Sequence, residues 1–488
     1  MIDPLTFSLL ISFLVPALFA LPLFLLDGRR ADVFMLLGMG LTLTSSLYAF
    51  ALFLTEGMPT KHVVLIKANG VEYFGLIIDR ISMIVTFVVA TAGFAFLLYS
   101  VEYMSPRNRE HPVERGKGRF YAWMLLFVAA TLAFVLSSTL IEMLMFFELM
   151  SLSCWGVVSF YYTPEARRAA LKAFVTTHVG ALLGLFVATA ICLNSVGDLS
   201  LEALTKLEPS EKLIVFAALL VAAITKSAQF PTYSWLPDAM VAPTPASAFL
   251  HGAAMIEMGV YLLARGVQFL QPLPMEAANA LLAVVCLSLV LTALMYPLQR
   301  DAKRLLAYST IAESATMYAA LVPACLGIVD GIYVSIYILA LHAYVKGLGF
   351  LTTGLFSYYF GEKTIDHVRG LLRKSPFTAF CWIVSLFGLA GLPPMPLFFG
   401  KLALFAILAK ALANSSTIAI LIVVLLIDVA SFGITALRWI HENLLSEPSD
   451  GAKISLHPIF VSSLSLLLAL LFAAPFIATP LVGVVVGW

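Results

Sequence analysis

The sequence predicts an all-α integral membrane protein with about fourteen transmembrane helices. Of its 488 residues, 61% are hydrophobic and only 12% are charged, and the mean hydropathy is +0.98. In soluble proteins roughly a quarter of the residues are charged. A helix needs about 20 consecutive, mostly apolar residues to span a bilayer. Because apolar runs of that length recur from one end of the chain to the other, we expect it to cross a membrane many times.

The apolar runs divide the chain into four segments. Three spans and a short hairpin occupy residues 1–119, spans 4–8 occupy 120–270, spans 9–13 occupy 271–440, and a C-terminal span lies in 441–488. The predicted span cores, numbered 1 to 14 in this order, are residues 5–26, 33–54, 81–101, 120–138, 140–161, 170–193, 212–236, 244–268, 276–297, 303–322, 330–358, 376–408, 416–438 and 458–478.

Positive charge alternates between the loops. The chain has 29 lysines and arginines and a net charge of +1. The basic residues cluster in loops that follow odd-numbered spans, as in residues 107–119 and 363–374. Because cytoplasmic loops carry an excess of Lys and Arg, we expect both termini on the outer side of a cell membrane or an energy-transducing inner membrane. There is no basic tail, and no nucleic-acid partner is expected.

Residues 60–78 differ from the apolar runs around them. Two short stretches rich in β-branched and aromatic residues flank Asn69 and Gly70. Asn-Gly between two such stretches is a strong signal for a hairpin turn. The sequence therefore predicts a small β-hairpin on the outer face.

Spans 7 and 12 contain residues that interrupt a helix. In span 7, Pro231 follows Lys226, and proline cannot donate to the helical ladder. In span 12, Gly391 and three nearby prolines precede Lys401. Interrupted helices in corresponding positions are typical of transporters built from inverted repeats. The lysine precedes one break and follows the other, which favours two inverted five-helix repeats in spans 4–8 and 9–13. Two ordinary proline kinks are the alternative.

Titratable side chains lie within the predicted spans. A charge in the membrane core costs several kcal/mol unless it is paired or hydrated, so these residues are candidates for ion translocation. They are Glu142, Glu148, Lys226, Glu257, Glu313, Lys346, Lys401 and Asp428, together with His178, His251 and His342. The last histidine and Lys346 are four residues apart and share a helix face, where a proton can pass from imidazole to amine.

Some of these candidates have structural explanations of equal weight. Glu142 lies near the predicted outer end of its span, where water can solvate it. Structural roles compete evenly with functional ones for Glu313, Asp428 and His178. A purely structural role is least expected for the three lysines, because each lies deep in its span.

The cysteines indicate no redox or metal centre. The five cysteines are scattered, and none forms a Cys-x-x-Cys motif. We interpret them as apolar packing residues, with no iron–sulfur or zinc site and no other metal expected. No segment between the spans is long enough for a flavin or nucleotide domain. No cofactor is expected in this chain, and any redox centres are expected in partner chains.

Five motifs carry a family resemblance. They are FFELMSL around Glu148, AITKSAQFPTYSWLPDAMVAPTPASAFLHGAAM around Lys226 and His251, DAKRLLAYSTI around Lys303, LHAYVKGLGFL around His342 and Lys346, and GLPPMPLFFGK ending at Lys401. In order and spacing, the chain between residues 75 and 440 resembles the antiporter-like subunits shared by respiratory complex I, Mrp-type cation/proton antiporters and energy-converting membrane-bound hydrogenases.

The resemblance implies a fourteen-helix fold and roles for particular residues. The resemblance implies a Glu–Lys pair on helices 5 and 7, here Glu148 and Lys226. It implies a central hydrated axis on helices 8 and 11, here His251 with His342 and Lys346. It also implies an exit lysine on helix 12, here Lys401. Lys303 is a further possible site. Such subunits translocate protons or sodium ions within multi-subunit membrane complexes. An iron–sulfur redox arm or an opposing ion gradient drives them.

The chain departs from the family pattern at three positions. Glu257 stands where some relatives carry a lysine, which reverses a charge on the axis. Ala181 and Ile338 stand where some relatives have an acidic residue and a second histidine. The choice between H⁺ and Na⁺ therefore stays open.

Three functions are weighed for the chain. The first is a non-redox ion-translocating subunit of a membrane oxidoreductase complex. The second is a subunit of a gradient-driven Na⁺/H⁺ antiporter. The third, a subunit that itself binds quinone or carries electrons, is disfavoured because the chain lacks cofactor ligands.

Overall fold

The computed structural model describes residues 3–413, 415–447 and 453–483. Residues 484–488, in the predicted C-terminal segment, lie outside this description. The strands are β1 Lys61–Ala68 and β2 Val71–Ile78. The α-helices in chain order are α1 Pro4–Leu23, α2 Gly28–Thr55, α3 Arg80–Tyr103, α4 Lys117–Leu136, α5 Leu140–Val158, α6 Pro164–Ala181, α7 Val187–Val196, α8 Pro209–Lys226, α9 Trp235–Asp238, α10 Thr244–Gly252, α11 Met255–Leu270, α12 Met275–Met295, α13 Ala302–Cys325, α14 Asp330–Phe360, α15 Leu371–Lys374, α16 Pro376–Ala390, α17 Pro396–Leu412, α18 Thr417–Ile440 and α19 Pro458–Val482.

Twelve helical stretches within the described residues are long and apolar enough to cross a membrane. They coincide with predicted spans and confirm a helical, multi-pass membrane protein. One stretch combines α6 and α7 through a π-helical turn, and another combines α10 and α11. The other two predicted spans, 7 and 12, contain the shorter helices α8, α16 and α17. The exact count of fourteen and the four segment boundaries stay predictions.

The small sheet is the predicted hairpin. β1 and β2 pair antiparallel, with Ala68 opposite Val71. Between them, Asn69 has φ 52° and Gly70 has φ 84°. Two successive positive φ angles are what a type I′ turn requires, and Asn-Gly adopts them with little strain. The predicted hairpin is confirmed, with its turn at the predicted dipeptide.

Glu142 fastens this hairpin to the start of α5. Its carboxylate accepts hydrogen bonds from the backbone N–H groups of Gly75, Ser138 and Thr139 at 3.1, 3.2 and 3.1 Å. The Thr139 hydroxyl in turn accepts from the Glu142 backbone N–H, which completes a capping box. Glu142 is only 3% exposed, so the suggestion that water solvates it at the end of its span is wrong. These contacts support a structural role.

Both predicted helix breaks are present. α8 ends at Lys226, and helical structure resumes only at α9. The buried Gln229 side chain satisfies this irregular segment, because its Nε2 donates to the carbonyls of Ser227 at 2.8 Å and Ile311 at 3.2 Å. The second break follows α16 at Gly391, which has φ 67°. Non-helical backbone at membrane depth needs such protein partners.

A third break separates α10 from α11. Span 8 was predicted as one continuous helix, and this is wrong at Ala253 and Ala254, which have non-helical backbone angles. Alanine is the best helix former, so the local sequence gives no sign of a break. Close packing holds each half. A Cβ on Gly252 would lie 2.9 Å from the Ala343 carbonyl of α14, and one on Gly259 would lie 2.6 Å from the Ala223 carbonyl of α8.

The helices that carry the candidate residues form the centre of the bundle. α10–α11, α13 and α14 are buried throughout their membrane-spanning windows, whereas most residues in the corresponding windows of α12, α18 and α19 are not fully buried. The interior therefore shields the central titratable side chains from lipid.

Candidate functional site: a row of buried charged side chains

The seven principal candidates are called the charged row, which comprises Glu148, Lys226, His251, Glu257, His342, Lys346 and Lys401. Three of them lie at the helix breaks: one at the end of α8, one in α10 and one near the start of α11. Two lie one turn apart in the middle of α14. A helix break frees backbone carbonyls, which then become available to buried cations.

Glu148 opens the row on α5. Its Oε2 atom lies 3.0 Å from Nδ1 of His178 on α6. Its Oε1 atom is buried and has no hydrogen-bond partner in the described protein. His178, for which the sequence left structural and functional roles equally open, thus has a candidate carboxylate as its partner.

Lys226 is fully buried but does not contact Glu148. Its ammonium donates to the Phe147 carbonyl at 2.8 Å and to the Ser151 hydroxyl at 2.9 Å, and it lies 3.8 Å from the centroid of the Phe147 ring. Within the described residues no ion pair shorter than 4.0 Å joins Lys226 to Glu148. The implied Glu–Lys pair is therefore open in this structure.

A polar bridge links the end of α8 to the centre of the bundle. The Ser227 hydroxyl donates to the Ile256 carbonyl at 2.8 Å and lies 2.9 Å from the hydroxyl of Tyr318 on α13. Ser227 and Tyr318 were missed in the sequence because neither residue type is unusual in a helix. Only the meeting of three helices gives them significance.

His251 lies in the centre of the bundle at the end of α10. Its Nδ1 atom is 3.1 Å from the Thr310 hydroxyl on α13, and its ring lies against Phe350 with centroids 4.5 Å apart. The Nε2 atom is buried without a hydrogen-bond partner among the described residues. One ring nitrogen is therefore oriented by protein, and the other is available for proton exchange.

Glu257 and His342 form a buried pair. Glu257 Oε1 lies 3.0 Å from His342 Nδ1, and both side chains are fully buried. The sequence suggested that His342 works with Lys346 on the same face of α14. In the structure its direct partner comes from α11, a contact that helical spacing does not reveal.

The lysines of the second half have two kinds of partner. The Lys346 ammonium donates to the Ser309 hydroxyl at 2.5 Å and the Leu306 carbonyl at 3.2 Å. The Lys401 ammonium instead forms an ion pair with Glu313 Oε1 at 2.8 Å and donates to the Leu389 carbonyl at 2.9 Å. The possible site Glu313 is thus a direct partner of the row, and this Glu–Lys pair is closed.

Two further candidates flank the row. Asp428 on α18 accepts a hydrogen bond from the Thr292 hydroxyl at 2.7 Å and interacts electrostatically with Lys401. Lys303, at the start of α13, is 2% exposed and donates to the Ala242 carbonyl at 2.7 Å. Lys303 also interacts electrostatically with His251, so it lies within reach of the centre of the row.

Electrostatic interactions connect the members of the row. Glu148 interacts with Lys226 at the first end. Lys346 interacts with Glu257 and Lys401 towards the other end. A change of charge at one site therefore alters the free energy of protonation at its neighbours.

Arg265 lies near the end of predicted span 8 and was not among the candidate residues. The structure places it fully buried on α11, bound to Asp79 at the start of α3. The spacing of Glu257, Tyr261 and Arg265 by four residues on one helix was the signal that could have located it.

This fold, with a row of buried charges between interrupted helices, defines an antiporter-like membrane subunit. The family model described as NADH:quinone oxidoreductase/Mrp antiporter, TM, matches residues 137–428. A second model, described as NADH-ubiquinone oxidoreductase (complex I), chain 5 N-terminus, matches residues 72–121. The chain belongs to the NADH:quinone oxidoreductase/Mrp antiporter family.

Two curated relatives show the extent of the similarity. NADH-quinone oxidoreductase subunit L of Escherichia coli (strain K12) is 34% identical over 353 residues, which cover 70% of this chain and 54% of the relative. Chloroplastic NAD(P)H-quinone oxidoreductase subunit 5 of Phaseolus vulgaris is 33% identical over 347 residues, which cover 67% and 44%. The chain thus spans about half the length of these relatives.

Solved structures share the fold. A chain of an archaeal membrane-bound sulfane sulfur reductase superposes with a TM-score of 0.83 at 20% identity, over 97% of this chain and 96% of that one. A chain of respiratory complex I from Thermus thermophilus has a TM-score of 0.82 at 23% identity, over 97% of this chain and 98% of that one. A chain of the Mrp complex from Dietzia sp. has a TM-score of 0.76 at 23% identity, over 99% of this chain and 57% of that one.

Proposed function

We propose that the chain translocates protons or sodium ions across a membrane along the charged row. One observation carries the proposal: titratable side chains that are costly to bury lie in sequence through the bundle interior, between interrupted helices. Charged groups at membrane depth typically mark ion pathways. Membership of the NADH:quinone oxidoreductase/Mrp antiporter family supports this function.

Unpartnered atoms support transfer along the row. Among the buried side-chain atoms that lack a hydrogen-bond partner within the described residues are one atom each of Glu148, His251, Glu257, Glu313 and His342. Buried polar atoms are normally bonded to protein or ordered water. Polar, orphaned sites of this kind suit bridging waters, through which a proton can move between side chains.

The two Glu–Lys pairs suggest how transfer is gated. Glu148 and Lys226 are apart, whereas Glu313 and Lys401 are in contact at 2.8 Å. A carboxylate beside a lysine favours the charged ammonium, and its withdrawal favours loss of the proton. In the proposed mechanism, opening of the first pair sends a proton towards His251 and Lys346. Opening of the second pair releases it near Lys401.

Energy is supplied by partner chains in this proposal. The chain would work beside other membrane subunits and an iron–sulfur redox arm in a complex I- or hydrogenase-like assembly, with no cofactor of its own and both termini on the outer side. The His178 side chain supports a neighbouring membrane subunit, because it is 42% exposed within a membrane-spanning helix, and its partner Glu148 is 28% exposed. Exposure of such groups to lipid is costly.

The alternative is a gradient-driven Na⁺/H⁺ antiporter of the Mrp type. The description of the matching family includes Mrp antiporters, and the Dietzia Mrp complex shares the fold. Purification in mild detergent separates the two. Iron–sulfur or nickel–iron partners would support the redox-driven form, and small membrane subunits alone would support the antiporter.

Variants at Lys226 and Glu148 test ion translocation itself. We expect Lys226→Ala and Glu148→Ala each to abolish ion uptake by vesicles that contain the assembled complex, while assembly is retained. Uptake of H⁺ is followed with a pH-sensitive dye and uptake of Na⁺ with a radioactive tracer. Lys410→Ala is the matched control, because Lys410 is an exposed lysine near the end of α17. Full transport by both test variants would overturn the proposed function.

A further inference from the structure

A second polar column leaves the charged row at Glu257 and runs along α11. Tyr261 and Arg265 follow it at four-residue intervals, so the three side chains share one helix face. The column runs towards the hairpin end of the bundle, which is the end that carries β1 and β2. Its last member is Asp79, the residue directly after β2. Glu257 and Asp79 are thus the two ends of this column.

The far end of this column is a buried, bidentate ion pair. Arg265 is fully buried, and its Nη1 and Nη2 atoms donate to the two carboxylate oxygens of Asp79 at 2.5 and 2.8 Å. The Nη1 atom also donates to the side-chain oxygen of Gln268 at 2.8 Å. Asp79 in turn caps α3 by accepting the Ser82 backbone N–H at 2.8 Å. The guanidinium is therefore held in one place.

The middle of the column cannot relay a proton as it is built. The Tyr261 hydroxyl donates to the Val135 carbonyl at 2.5 Å and accepts from Nε of Arg265 at 2.9 Å. Its proton thus points to a backbone carbonyl, which has no proton of its own to pass on. Arginine stays protonated in proteins and has no acceptor. A proton at Glu257 therefore cannot pass through Tyr261 or through Arg265.

We propose that Arg265, Tyr261 and Asp79 form an electrostatic plug that closes the charged row towards the hairpin end. Because Arg265 lies between Glu257 and Asp79 along the column, the ion pair turns its positive end towards the charged row, and that end repels a cation in a low-dielectric interior. Its partner contacts prevent the guanidinium from swinging aside. An ion at Glu257 must then continue laterally to Lys346 and Lys401 instead of leaking from the centre of the row.

This role differs from a purely structural one. Replacing both members of a buried ion pair is often nearly neutral for stability, because desolvation of the two charges offsets their attraction, whereas removing one member leaves an uncompensated buried charge and destabilises the fold. The double variant at Arg265 and Asp79 therefore tests the barrier, and Asp79→Asn alone tests the structural contribution of the pairing. The proposal rests on the proposed function only in that the row must carry an ion.

The experiment measures passive ion leak through the purified complex in liposomes. No redox substrate is added, so the complex does not pump. An imposed pH gradient is followed with a dye, and Na⁺ efflux with a tracer. We expect the double variant Arg265→Gln with Asp79→Asn, and also Arg265→Gln alone, to leak several-fold faster than the wild type. Asp79→Asn alone keeps the guanidinium and is expected to stay tight.

A matched control lies at the opposite end of the bundle. The Lys117 ammonium pairs with Asp32 Oδ1 at 2.7 Å, and the Tyr121 hydroxyl donates to the same carboxylate at 2.7 Å. This trio resembles the plug in chemistry but lies away from the charged row. We expect the double variant Lys117→Gln with Asp32→Asn to leave the leak unchanged.

Each outcome decides the proposal. A normal leak in the charge-removing variants, or an equal leak in Asp79→Asn or in the control, would overturn the plug. Failure of both charge-removing variants to assemble would assign the pair to folding and overturn it as well. A normal leak in these variants, together with lost transport in Lys226→Ala, would refute the plug but leave the proposed function standing.

Discussion

The Glu257 carboxylate lies 3.0 Å from Nδ1 of His342, and both side chains are completely buried between α11 and α14. The second oxygen of Glu257 and Nε2 of His342 have no partner among the described residues. A carboxylate and an imidazole at this distance can share one proton. Glu257 is therefore one half of a buried acid–imidazole pair.

This pair predicts that the acidic proton of Glu257 matters, not only its hydrogen bond. Glu257→Gln keeps a hydrogen-bonding group beside His342 but cannot take up a proton. We expect ion transport in vesicles to slow by about tenfold or more, in line with the loss of a group that exchanges protons. Glu276→Gln is the control, because Glu276 is exposed in the first turn of α12. Unchanged transport by assembled Glu257→Gln would return this residue to a structural role.

The third helix break predicts a packing defect at Gly259. A Cβ there would lie 2.1 Å from the Ser227 hydroxyl and 2.6 Å from the Ala223 carbonyl. Gly259→Ala should therefore push α11 away from α8 and destabilise the protein by about 1–3 kcal/mol, the usual cost of overpacking. Thermal unfolding of the purified complex measures the effect.

Gly433→Ala is the matched control for this change. No atom of the described residues lies within 4 Å of a Cβ added at Gly433 in α18. Alanine is the better helix former there, so the melting temperature should hold or rise. If Gly259→Ala unfolded at the same temperature as Gly433→Ala, the close packing of α8 against α11 would not be what stabilises the break between α10 and α11.

The loop between α3 and α4 predicts a pH-dependent contribution to stability. Glu110 forms an ion pair with Lys363, which follows α14. Burial raises the pKa of Glu110, but the Lys363 ammonium and hydrogen bonds outweigh burial and lower it below 4.5. Burial lowers the pKa of Lys363. The attraction of the Glu110 carboxylate outweighs the effect of burial and raises this pKa above 10.5. Both groups are therefore charged at neutral pH.

The sign of the effect follows from these shifts. The lowered pKa of Glu110 stabilises the fold above pH 4.5, and this contribution is lost as the pH falls further. The contribution of Lys363 is complete below pH 10.5 and is lost at higher pH. Glu110→Gln should cost about 1 kcal/mol at pH 7, since the pair is only partly buried. The difference in unfolding temperature between Glu110→Gln and the wild type should narrow below pH 4.5. A difference that stayed constant from pH 7 to pH 3.5 would contradict this prediction.

Much of the fold was predictable because its signals are local. Long apolar runs identify spans, and Asn69-Gly70 identifies the hairpin turn. The break after Lys226 was also predictable, because Pro231 cannot continue a helix. Each of these signals depends on a few neighbouring residues and on the cost of leaving backbone groups unpaired in lipid.

The burial of most candidate residues was predictable, but their contacts were not. Burial in an apolar span identified Glu257 and Lys346 without a structure. The pairing of Glu257 with His342, and of Lys401 with Glu313, joins residues far apart in the chain. Contacts between helices depend on rotation and depth, which helical periodicity leaves undetermined.

A multi-pass helical membrane protein with lysines beside interrupted helices follows from the order of the amino acids alone. Charged residues and helix breakers are rare in apolar spans, because lipid cannot solvate a charge or an unpaired backbone group. The partner of each charge, the separation of α10 from α11 and the burial of Arg265 against Asp79 follow only from the packing of the helices. These features arise from close packing between helices, where a glycine or a carbonyl on one helix sets the position of a side chain on another.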